Sequence, residues 1–104
     1  MKHMVVNTHN AESCGFRGEE EGKAIGGAIE AFGKSGTEFD LTVDEFWINR
    51  SAHAFFILVD APNAHVIDEA LLKAGLVGRT HTEIFPVLTA DEVRAAAQAS
   101  TDGR

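Results

Sequence analysis

The chain is short of several things that would point to a function quickly. It has one cysteine, so no disulfide can form within it, and a reducing, cytoplasmic setting is expected. Lys and Arg number 9 against 16 Asp and Glu, for a net charge of -7. That balance argues against non-specific nucleic-acid binding, which needs a basic surface to displace counterions, and against docking on anionic membranes. No apolar run approaches the ~18 residues of a membrane-spanning helix. The first residues, MKHMVVNTHN, lack an apolar h-region and an A-x-A-like site, so no signal peptide is expected. There is no CxxC, HxxxH or HExxH, no internal repeat and no low-complexity tract.

At 104 residues with a hydrophobic fraction of 44%, the chain has room for one domain with one modest core, expected over residues 1–104. The organising stretch is Met4 to Cys14, MVVNTHNAESC. It reads as a strand over Lys2–Thr8 that runs into a polar loop, with Val5, Asn7 and His9 on one side and Met4, Val6 and Thr8 on the other. A helix follows over Glu19–Gly33, its apolar stripe being Ile25, Ala28, Ile29 and Phe32. Three glutamates open it, where the helix dipole favours negative charge. Gly26 and Gly27 lower its helix propensity, and close packing on a sheet is the expected reason.

Strand two is expected over Leu41–Ile48, with Val43, Glu45 and Trp47 on one face and Asp44, Phe46 and Ile48 on the other. Asn49 to Ala52 reads as a hairpin connection. Strand three, His53–Asp60, is an almost unbroken apolar run and hence central in its sheet. Asn63 is placed to cap a helix over Ala64–Ala74, and Gly75 to end it. Strand four covers Thr80–Leu88, with Pro86 marking an edge or a bulge. Thr89 and Glu92 fit a capping box for a last helix from Ala90 to about Gln98.

The order β-α-β-β-α-β is the split βαβ arrangement, an α+β, ferredoxin-like fold. Strand three then lies between strands one and two, and strand four on the far side of strand one, as an antiparallel four-stranded sheet. Helices cover one face only. Trp47, Phe85 and Val87 make the other too apolar to leave wet, so a homodimer packed sheet to sheet is expected.

The element order, the length and the phrase AFFILVDAPNAHVIDEALLKAGLVGRTHTEIFPVL resemble the dimeric α+β barrel superfamily over about Met4 to Leu88. Within it the chain is similar in layout to small uncharacterised families, one with a nickel-binding member. The resemblance implies a fold and a dimer. It implies no particular reaction, since the superfamily holds monooxygenases, isomerases, haem enzymes and binding proteins, and no catalytic residue carries over from it.

The topology brings the end of strand one near the starts of strands three and four. His9, His53, His81 and the loop carrying Cys14 are therefore expected at one end, a donor set that suits nickel, copper or zinc. His3 and His65 belong to the other end. A second set, Asn7, His9, Glu45, Trp47, His81 and Glu83, has the parity expected to face the barrel and could line a small-molecule cavity. There His9 would serve as general acid or base. Gly27 to Ser35 does not make a P-loop, because five residues rather than four separate its glycines and it lies at a helix end. Two functions follow as expectations: a homodimeric transition-metal protein, or a cofactor-free enzyme acting on a small organic molecule.

Overall fold

The computed structural model describes residues 1–10, 18–77 and 80–102. The elements are β1 (Lys2–Thr8), α1 (Glu19–Gly33), a 3-10 turn (Ser35–Thr37), β2 (Thr42–Asn49), β3 (Ala54–Asp60), α2 (Ala64–Ala74), β4 (His81–Pro86) and α3 (Ala90–Asp102). The strands form one sheet in the order β2-β3-β1-β4, and every neighbouring pair is antiparallel. This is the expected ferredoxin-like arrangement.

The core lies between the sheet and the first two helices. Val5 of β1 and Phe55, Ile57 and Val59 of β3 meet Ile25, Ala28 and Phe32 of α1 and Ile67, Ala70 and Leu71 of α2. These are the positions at helical and strand spacing that hydrophobic burial selects. Asn63 caps α2 by accepting from Val66 N at 3.0 Å. Gly75 ends that helix in the left-handed region, at φ 88°, where glycine pays no steric penalty. Thr89 and Glu92 exchange two capping bonds of 3.1 Å at the start of α3. That helix runs four residues beyond Gln98, and its residues from Ala90 to Thr101 are all exposed.

Two local expectations are corrected. A bulge falls between Val43 and Glu45, so two residues of β2 oppose one of β3. Val43 consequently pairs with Val59 and packs with Phe46 on the core side, while Glu45 and Trp47 face the other way. Gly26 and Gly27 are exposed, and a Cβ added at either would meet nothing within 4 Å. Close helix packing is therefore not what keeps them. At Gly36 the opposite holds, since a Cβ would lie 2.6 Å from the Leu41 carbonyl oxygen.

Helices α1 and α2 cover one side of the sheet. The uncovered side carries Met4 and Val6 of β1, Trp47 of β2, Phe56 and Leu58 of β3 and Phe85 of β4. Trp47 and Phe85 are each 47% exposed there. Among the described residues, no helix is long and apolar enough to cross a membrane.

Candidate functional site

Strand pairing decides which chemistry-bearing residues meet. Asn7 lies opposite Phe55 on β3 and Thr82 on β4, so it shares the covered side with Val5 and His3. His9 lies just past the end of β1. Its N–H donates to the His53 carbonyl at 3.0 Å, which ties the end of β1 to the start of β3. The His9 ring meets His53 edge to face, with centroids 5.2 Å apart, and leans on Phe55 at 5.4 Å.

His53 sits in the left-handed region at φ 51°, alone in this among the described non-glycine residues. The preceding turn forces it. Asn49 Oδ1 accepts from Ala52 N at 3.0 Å and from Ser51 Oγ at 3.1 Å, folding the chain sharply back into β3. Glycine or asparagine would occupy such a position with less strain.

Neither histidine has a hydrogen-bond partner for Nδ1, and both Nδ1 atoms are buried. Burial holds the His9 imidazole below its ordinary pKa of 6.5, and the neighbouring His53 lowers it further by like-charge repulsion. A neutral ring keeps a lone pair on one nitrogen, which is what a metal ion or a transferable proton requires. Two imidazoles in contact, each with a buried Nδ1 that has no hydrogen-bond partner, form the chemically competent unit at this end of the sheet.

The other expected residues fall elsewhere. His81 pairs with Thr8 on the uncovered side, 3.6 Å from Glu83 through its Nε2. Strand pleating thus separates His81 from His9, although both lie at one end of the sheet. The cavity set divides in the same way. Glu45, Trp47, His81 and Glu83 share the uncovered side, whereas Asn7 belongs to the covered side and His9 turns against Phe55. Cys14 lies outside the described residues. Among the described residues, no group of three or more His, Cys, Asp or Glu is arranged to hold a metal ion. His3 is buried far from the pair, in register with Val59 and Pro86.

Asn7 is fully buried and anchored. Its Nδ2 donates to Thr80 Oγ1 and to Thr82 Oγ1, both at 2.8 Å, and Thr80 Oγ1 donates in turn to the Leu76 carbonyl. Its Oδ1 has no partner. Thr80, Thr82 and Phe55 are parts of this end that sequence spacing alone did not bring forward. The sign available in the sequence was a polar Thr-His-Thr run at the start of a strand facing Asn7.

The fold and the paired imidazoles define a small ferredoxin-like α+β protein with a histidine-rich sheet end. Residues 1–101 match the family described as domain of unknown function (DUF3303), and the chain belongs to that family. No curated protein matches the chain, so the similarity to a nickel-binding relative gains no named counterpart.

Proposed function

We propose that this chain is a homodimeric metal-binding protein that holds a transition-metal ion, nickel, copper or zinc, between His9 and His53. The observation that carries the reading is the contact of two imidazoles whose Nδ1 atoms are both buried and unpartnered. A buried polar atom without a partner costs roughly 1–3 kcal/mol, and a bound ion would remove that cost twice. Imidazole nitrogen is a borderline donor, common to these three metals. Cys14, which follows His9 by five residues, is the sequence's candidate for a further ligand, and a reducing cytoplasm would keep it a thiol. His81 is not part of this set.

The dimer reading rests on the uncovered side of the sheet. Trp47, Phe56, Leu58 and Phe85 form an apolar field that a second copy would take out of water. A second reading, a cofactor-free small-molecule enzyme, is favoured by a different contact. His81 beside Glu83 on β4, on the same side of the sheet as Trp47 and Glu45 of the opposite edge strand, would give a dimer cavity an acid–base pair. His9 would then have no catalytic part.

Elemental analysis and solution mass of untagged protein test both points. A stoichiometric metal lost in His9→Ala and in His53→Ala, on a dimer, is the expected result. A protein that stays metal-free after incubation with nickel, copper and zinc would overturn the metal reading.

A further inference from the structure

We infer that Asn7 supplies a third, oxygen donor to the ion held by His9 and His53, through Oδ1. The inference rests on the metal reading above and deepens it by naming the donor set. The orientation of the Asn7 amide is fixed by chemistry. Thr80 Oγ1 spends its proton on the Leu76 carbonyl, so towards Asn7 it can only accept. The amide nitrogen must therefore face Thr80 and Thr82, and Oδ1 is turned away from both hydroxyls.

Oδ1 is left fully buried and without a partner, in a residue two positions before His9 along the chain. Phe55 links the two parts, lying directly opposite Asn7 in the sheet and against the His9 ring. Three residues that each carry a buried polar atom without a partner, Asn7, His9 and His53, thus stand at one end of the sheet around Phe55. An amide carbonyl is a hard, neutral donor. Two imidazoles with one carbonyl oxygen suit a borderline divalent ion such as zinc or nickel better than cuprous copper, which prefers sulfur and nitrogen. The two threonine hydroxyls take the role of outer partners that aim a ligand.

The test measures zinc affinity by chelator competition, with the visible spectrum of the cobalt-substituted protein, in the wild type, Asn7→Leu, Asn7→Asp and Thr82→Val. Thermal melts confirm folding in each. Thr82→Val is expected to weaken zinc roughly 10- to 100-fold, as outer-partner losses do elsewhere, and Asn7→Leu, which removes the donor itself, to weaken it more. Asn7→Asp puts an anionic oxygen in the same place and is expected to tighten zinc at least about tenfold and to alter the cobalt spectrum. If that charge unfolds the apo-protein, the Leu and Val variants carry the comparison. Binding that needs His9 and His53 but has the same affinity and spectrum in folded Asn7→Leu and Thr82→Val overturns this inference and leaves the pair intact, with Oδ1 then satisfied by water. A wild type that binds no metal overturns the pair and the inference together.

Discussion

His3 and His9 lie six residues apart, at opposite ends of β1, and each has a buried Nδ1 without a partner. His3 is 2% exposed and is opposed by Val59 and Pro86, neither of which offers a donor or acceptor side chain. His9 is less buried, yet it meets a second imidazole and shares its end of the sheet with an anchored amide. The difference teaches that burial of a polar ring does not by itself make a site. His3 is a packing residue that carries an orphan nitrogen as a cost. At His9 the same cost recurs on the His53 ring that it touches, and on the proposed reading one ligand would relieve both.

The largest effects should break this comparison in opposite directions. His3→Ala leaves a cavity in the core and should cost about 2–4 kcal/mol of stability while metal content is unchanged. His9→Ala should abolish metal binding with a smaller loss of stability, since the ring is only partly buried. Denaturant melts and elemental analysis of the same two samples check both, and metal loss in His3→Ala would undo the contrast.

His53→Gly sharpens it further. Glycine relieves the positive φ, so the variant should be as stable as wild type or up to about 1 kcal/mol more stable, while metal is lost. A residue that is strained in the apo-protein and needed only for the ligand behaves in this way. His53→Gly that melts well below wild type would mean that the imidazole is there for packing.

Smaller effects set the background. Gly26→Ala and Gly27→Ala should each stabilise α1 by up to about 1 kcal/mol, because nothing opposes a methyl group at either position. Gly36→Ala should destabilise, because its methyl would press on the Leu41 carbonyl. Thermal melts of the three variants read these signs directly. The least effect belongs to Lys2, whose ammonium is held above its ordinary 10.5 by hydrogen bonds to Asp44 and then Asp60. A raised value stabilises the fold below pH 10.5 and is lost as the pH climbs through the folded value, so Lys2→Met should flatten the alkaline limb of the stability curve. High salt should shrink the difference between Lys2→Met and wild type.

The helices and the strand order were legible because their signals are strong. The stripes of α1 and α2, the Asn63 cap and the Gly75 stop each have one physical reading. The side of the sheet on which Asn7 lies was not legible. In β1, His3, Val5 and Asn7 alternate with Met4, Val6 and Thr8, and β3 is apolar on both sides, so hydrophobic alternation cannot choose between the two parities. The bulge at Val43 was hidden for a related reason, since an extra residue shifts a period-two pattern without leaving a residue type behind. The site followed suit. The convergence of His9 and His53 came from topology, whereas the separation of His81 from them depended on pleat, which only the register reveals.

The two outer strands of the sheet carry a last consequence. Among the described residues β2 and β4 are its free edges, each with a row of backbone groups able to recruit another strand. Each edge strand contains a device that spoils such recruitment: the bulge beside Asp44 in β2, and Pro86, which has no N–H to offer, in β4. Lateral growth of the sheet into a continuous ribbon is thereby discouraged at both borders. The molecule guards its seams against aggregation and leaves its broad apolar face as the surface open to company.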